Sequence, residues 1–143
     1  MMRFSKKVEY ALIALLYIAN KNNGELTTAR ELSDKFDISL ELIGKILQRL
    51  AKSGLILSVQ GVKGGYYLSR SSNEIKISLV VKIIDGPIAL TDCIAAGSPA
   101  ICERGERCLI RKSMENIQSR WLNLLDQISL NDFQETYAKE ISN

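Results

Sequence analysis

The sequence predicts a mainly α-helical fold with a small β-hairpin wing: a winged helix-turn-helix domain followed by a long C-terminal dimerisation helix. Three observations predict it. Apolar residues recur at helical spacing through residues 8–50 and again through 110–128. Two short helical patterns are joined by a tight turn, Asp37-Ile38-Ser39. Directly after the second of them, LILSVQ, GVKGG and YYL read as strand, glycine-rich turn and returning strand.

The elements follow in order. Ser5 caps a first helix whose apolar face is Val8, Ala11, Leu12, Leu15, Leu16 and Ala19, and Asn22-Asn23-Gly24 breaks it. Thr28 and Glu31 have the spacing of a capping box, in which a hydroxyl and a carboxylate satisfy free amides reciprocally. Ala29, Leu32 and Phe36 give that short helix its inner face. Ser39 caps the next helix, from Leu40 to about Ser53, with Ile43, Ile46, Leu47 and Leu50 facing inward and Gly54 at its stop. Its opposite face carries Glu41, Gly44, Lys45, Gln48, Arg49 and Lys52, residue types that suit a helix lying in a DNA groove. Gln60, Lys63 and the backbone at Gly64 make the wing tip, fit for phosphates or a minor groove. SLVVKIID forms a further short helix closed by Gly86 and Pro87. Beyond the cysteines, Ile110, Met114, Ile117, Trp121, Leu124 and Ile128 make a heptad-like seam on a helix of about twenty residues. Its expected partner is a second subunit, which would present two recognition helices to a two-fold-symmetric site. The tail from Asn131 is weakly amphipathic. The expected organisation is a winged domain over 1–85, a cysteine-containing loop over 86–109, and the dimerisation helix with its tail over 110–143.

Composition narrows the function classes. A length of 143 residues suits one compact domain or a domain with an appended oligomerisation element. The longest apolar run, around Ala11 to Ala19, is far short of a membrane span, and the N-terminus lacks a signal peptide's cleavage pattern. The expectation is a cytoplasmic protein with no membrane partner. A net charge of +3 permits nucleic-acid binding without arguing for it. Distribution says more, because Lys and Arg recur from Lys45 to Arg70 with no acidic residue between Glu41 and Glu74. An enzyme is not expected: there is no histidine and no paired-carboxylate motif, and GVKGG lacks the Lys-Ser/Thr of a phosphate-binding loop.

All three cysteines fall within DCIAAGSPAICERGERCL, as Cys93-x8-Cys102-x5-Cys108. Neither the paired C-x2-C of a zinc ribbon nor a redox C-x-x-C is present. Three thiolates fit an iron–sulfur cluster that lacks one protein thiolate. Free thiols and a regulatory disulfide fit the spacing equally well, and Arg104, Arg107 and Arg111 favour thiolates in any of these roles.

The stretch SLELIGKILQRLAKSGLILSVQGVKGGYYLSR, then IIDGPIALTDC and CERGERCL, resembles the IscR-type family of iron–sulfur winged-helix transcription regulators, most closely those that control SUF iron–sulfur assembly. The resemblance implies that Cys93, Cys102 and Cys108 bind a 2Fe–2S or 4Fe–4S cluster. A fourth ligand, histidine in some members, falls at Arg111, which has no lone pair to give. Other members use a first-helix carboxylate, matched here by Glu9, supplied by the other subunit. The implied protein is a homodimeric DNA-binding regulator, a repressor, responding to cluster, redox, iron or nitric oxide status. Thr28, Ser39, Glu41, Lys45, Gln48 and Arg49 would face double-stranded DNA, with Gln60, Lys63 and Gly64 on the wing. Two positions depart from the family: Gly44 stands where some members carry glutamate, and Gln60 where many carry a wing arginine. The alternatives are a cluster-free thiol-redox regulator and a metal-binding protein-interaction module.

Overall fold

The structure, a computed structural model, describes residues 3–95, 97 and 102–142. Within the expected loop 86–109, residues 96 and 98–101 therefore lie outside the described residues. Helix α1 (Lys6–Ala19) starts where the Ser5 hydroxyl accepts a hydrogen bond from the Val8 amide at 3.2 Å, and it buries Val8, Ala11, Leu12, Ala14, Leu15 and Ile18. Helix α2 (Ala29–Phe36) ends at Asp37, whose φ of 52° is left-handed, a conformation Asp tolerates better than most side chains. The chain then turns back sharply enough for the Ser33 hydroxyl to reach the Ile38 carbonyl at 2.6 Å. Helix α3 (Leu40–Lys52) is capped by Ser39 and lays Ile43, Ile46, Leu47 and Leu50 on the core, as the periodicity requires.

Strands β1 (Ile56–Val59) and β2 (Gly65–Leu68) pair antiparallel, Ile56 opposite Leu68 and Val59 opposite Gly65. The hairpin is anchored by a bridge from Thr27, whose amide and carbonyl meet those of Tyr66 at 3.0 and 2.8 Å. Here glycine is a requirement of space. A Cβ on Gly65 would stand 2.9 Å from the Thr27 carbonyl oxygen, and one on Gly64 only 2.1 Å from that of Val59.

Helix α4 (Ile77–Asp85) buries Ile77, Val80, Val81 and Ile84 and stops at Gly86, with φ 87°. A short α5 (Asp92–Ala95) and a 3-10 turn at Gly105–Arg107 carry the cysteine segment to α6 (Arg111–Gln127). Helix α7 (Leu130–Ile141) follows and packs on α1. The connection between α6 and α7 is stitched to the start of α4, Ile77 N–H donating to Ile128 and Leu130 N–H to Ile75 at 3.0 and 2.9 Å. Leu125 and Leu130 consequently join the same core as α1 and α3.

Three expectations change. The seam on α6 is not one face. Trp121 and Ile128 pack against the protein's own core, while Ile110, Ile117 and Leu124 stay exposed at 60, 49 and 48%. A single helix can satisfy a heptad pattern on both sides of a seam, so spacing alone could not divide them. The tail is a full helix begun by a capping box between Ser129 and Asp132. The Thr28–Glu31 box is only half made: Thr28 accepts from the Glu31 amide at 3.1 Å, but the Glu31 carboxylate is drawn instead to Lys21 and Tyr17.

Candidate nucleic-acid interface and cysteine segment

The outward face of α3 borders an open groove of about 640 Å³ that continues onto the start of α1 and the end of α4. Lys7, Lys45, Arg49 and Lys52 stand on its walls against a single carboxylate, Glu41. That surplus suits a polyanion. Glu41 is engaged with Lys45 at 3.0 Å, an exposed pair on one helix face. Gln48 is exposed beside them. Arg49 is placed differently from a free groove-reading side chain, because its Nη1 donates to the Ile84 carbonyl at 2.6 Å and ties α3 to the last turn of α4. Its remaining N–H groups are what it has for a phosphate.

Thr28 and Ser39 are exposed at the starts of α2 and α3, each with its hydroxyl oxygen accepting a helix amide. Each keeps its own O–H to donate outward. On the wing, Gln60 and Lys63 are exposed, and Gly64 closes the tip through its amide to the Gly61 carbonyl at 3.0 Å. Two residues of this surface escape a reading by periodicity. Lys7 belongs to α1 and reaches the groove only through tertiary packing. Val62, fully exposed at the wing tip, is an apolar residue on a surface where the sequence directs attention to polar ones.

The three cysteines are free and half-buried, on α5, in the turn before the 3-10 segment and at that segment's end. The Cys93 thiol lies 3.2 Å from the Thr91 hydroxyl. Among the described residues no three Cys, Asp or Glu side chains are gathered closely enough to hold a metal ion. Glu9, the candidate fourth ligand, is paired with Lys6 at 2.7 Å on α1. Arg111 is paired along its own helix with Glu115 at 3.2 Å. In kind, three unpaired thiols on short turns fit an iron–sulfur cluster. Among the described residues, no helix is long and apolar enough to cross a membrane.

One buried polar contact supports the base of this segment. Gln118, 7% exposed on α6, accepts from the Leu90 amide at 2.9 Å and donates to the Ile88 carbonyl. Away from the groove, Glu31 receives Lys21 and the Tyr17 hydroxyl, at 2.9 and 2.6 Å. Partial burial alone would raise the Glu31 carboxyl, but the bonds from Lys21 and Tyr17 outweigh it and hold it below its ordinary value. The same bond to Glu31, followed by burial, pushes the Tyr17 hydroxyl up.

Comparison with known proteins agrees with this geometry. A family profile named Rrf2 and described as an iron-dependent transcriptional regulator matches residues 4–136. The transcriptional regulator IscR of Pectobacterium atrosepticum is 31% identical over 131 residues, covering 92% of this chain and 78% of the relative. IscR of Photobacterium profundum is 31% identical over 142 residues, 99% of this chain and 81% of the relative. Among solved structures, CymR, the global cysteine regulator of B. subtilis, superposes with a TM-score of 0.77 at 21% identity, over 95% of this chain and 98% of its own. T. potens IscR gives 0.71 at 20%, over 95% and 88%. An oxidized form of Staphylococcus aureus CymR gives 0.70 at 22%, over 94% and 97%. These likenesses carry the winged-helix fold, and the family match spans nearly the whole chain. The chain therefore belongs to the Rrf2 family of transcriptional regulators.

Proposed function

We propose that this protein is a cytoplasmic, homodimeric transcription regulator, acting as a repressor, that binds a two-fold-symmetric DNA operator and changes affinity with the state of its three cysteines. The observation that carries the DNA reading is the groove along α3, where four cations face one carboxylate beside an exposed wing. Lys45, Lys52 and Lys7 would meet phosphates, Gln48 and Glu41 base edges, and Thr28 and Ser39 phosphates at the two helix starts. Gln60, Lys63 and the Gly64 backbone would lie over the adjacent minor groove. Lys45→Ala with Lys63→Ala should weaken operator binding about uniformly across sequences and flatten its salt dependence. Unchanged binding would place the interface elsewhere.

For the cysteines, the primary reading is a 2Fe–2S or 4Fe–4S cluster on Cys93, Cys102 and Cys108, with Glu9 of the second copy as fourth ligand. Similarity to proteins named IscR and the thiol-rich donor set support it. When bound, such a group supplies a labile cross-link sensitive to oxidant, nitric oxide and iron supply. The chain's own part is to bring three thiols onto one face by ordering the segment between α4 and α6. Glu9 would have to exchange its Lys6 partner for the metal.

A second reading is a cluster-free thiol switch. It is favoured by the likeness to a regulator solved in an oxidized form, and it needs no set of three gathered metal donors, of which there is none among the described residues. Anaerobic purification followed by visible absorption and iron and sulfide content separates the two. Colour with stoichiometric iron and sulfide supports the cluster. A colourless protein whose operator affinity falls with a disulfide-forming oxidant and returns with reductant supports the switch. One equivalent of zinc in place of iron would favour a protein-interaction module instead.

A further inference from the structure

The segment Ile84–Leu90 leads from the last turn of α4 into the cysteines and is held at both ends by other elements. At one end the Ile84 carbonyl accepts from Arg49 of the recognition helix at 2.6 Å. Next to it, Asp85 accepts from the Ser5 hydroxyl at 2.8 Å, the same hydroxyl that caps α1. At the other end Ile88 and Leu90 are both bound by the amide of Gln118. Between the two ends lies the bend at Gly86 and Pro87.

Gln118 is an unusual choice for its place. On α6 only it and Leu125 are buried, and its side chain is satisfied solely by the backbone of this one segment. Burying an amide is costly unless both its ends are bonded, as they are here. An apolar residue would serve packing as well. What the amide adds is a fixed register between Leu90, three residues before Cys93, and the helix that begins three residues after Cys108.

With both ends of the cysteine segment secured to α6, drawing the thiols together cannot be absorbed as slack in residues 86–90. Movement of the thiols that pulls on Leu90 or on the start of α6 is then passed along the segment to Ile84 and the guanidinium of Arg49. We infer that Gln118 is a positioning residue whose two bonds to Ile88 and Leu90 make the cysteine segment mechanically continuous with the recognition helix through Ile84–Arg49 and with the start of α1, which packs on that helix, through Asp85–Ser5. This rests on the reading of α3 as the DNA-binding helix and of the cysteines as the sensor. A local chemical event would then bias a two-state arrangement of α3.

The test measures operator affinity for three preparations of the parent: reduced and metal-free, oxidised with a disulfide-forming oxidant, and reconstituted anaerobically with iron and sulfide. The quantity read is the ratio of affinities between states, which a uniform loss of stability does not change. In the parent this ratio should reach about fivefold or more for at least one pair of states, the ordinary range of coupling. In Gln118→Met, which keeps size and apolar packing, the reduced protein should bind as the parent does while the ratio collapses to within about twofold of unity. Trp121, the only tryptophan, lines a groove with Gly86–Leu90, so unchanged emission from the reduced variant reports that the segment is still seated. If Gln118→Met fails to fold, Asp85→Ala cuts the α1 attachment at an exposed residue. It should lower the ratio, and Asp85→Asn, which keeps the acceptor oxygen, should restore it. A parent whose affinity ignores all three states overturns the sensor reading and the relay with it. A responsive parent with an equally responsive Gln118→Met, or Asp85→Ala where that variant is used, overturns the relay alone.

Discussion

Gly44 and Gly64, on α3 and the wing tip, have opposite steric surroundings. Gly44 lies mid-helix in α3, and a Cβ there would meet nothing within 4 Å. Gly44→Ala should therefore raise stability by about 0.5–1 kcal/mol, the helix-interior difference between the two residues. Gly64→Ala should lower it by more than about 1 kcal/mol, because the Val59 carbonyl occupies the space and the wing backbone has to move. Urea denaturation of both variants checks the pair. Glu31 offers a pH signature. Its carboxyl is held below the ordinary value in the folded state, so its contribution is present above the unfolded carboxylate pKa and lost as pH falls through the folded one. Glu31→Gln should cost about 1 kcal/mol or less at neutral pH, since the side chain is 34% exposed and partly screened. The gap between parent and variant should close as pH falls below about 4.3. A constant gap down to strongly acidic pH would mean that Glu31 does not act through its charge.

Adjacent leucines on α6 show how one helix serves two surfaces. Leu125 is 4% exposed and belongs to the core, whereas Leu124 is 48% exposed in line with Ile117. Leu125→Ala should cost about 2–4 kcal/mol in chemical denaturation. Leu124→Glu with Ile117→Glu should leave the monomer's folding nearly intact and instead abolish the proposed dimer in native mass measurements, because charge at the centre of an apolar stripe opposes pairing. A dimer that survives both charges would move the subunit interface off α6. The helix that follows is also instructive. Ser129-Leu130-Asn131-Asp132 is a capping-box sequence, a local signal for the start of α7, and in the structure Asp132 accepts from the Ser129 amide at 2.7 Å. That bond, together with the Ser129 hydroxyl, holds the Asp132 carboxyl below its ordinary value. The weak apolar pattern after it obscured the helix, since only Leu130 of α7 is fully buried.

At the scale of the molecule, one close-packed core unites the winged domain with both C-terminal helices. The basic groove proposed for DNA is assembled from several elements. Lys7 is the clearest case: exposed on α1, it stands on the groove wall opposite the lysines of α3. Lys7→Ala should reduce the magnitude of the salt-dependence slope of operator binding by about one without a measurable change in thermal midpoint. A slope equal to the parent's would remove Lys7 from the interface. The turn Asp37–Ser39 and the pairing of Thr27 with Tyr66 keep α3 and the wing on a common frame. Binding would then ask for little rearrangement within one protomer.

Local chemistry in the sequence was enough for the helices through α4, the hairpin and its glycine-rich turn, and the exposed face of α3. Each depends on periodicity, capping hydroxyls or close backbone approach within a few residues, and such effects are written in consecutive letters. Only the tertiary structure decided that Glu31 answers Lys21 rather than its own helix start, that Arg49 is fastened to Ile84, and that Gln118 grips the approach to the cysteines. It also divided the heptad pattern of α6 between the core and an exposed stripe. Those outcomes depend on which side chains meet across tens of residues, where competing partners differ by about a kilocalorie per mole and spacing along the chain carries no preference among them.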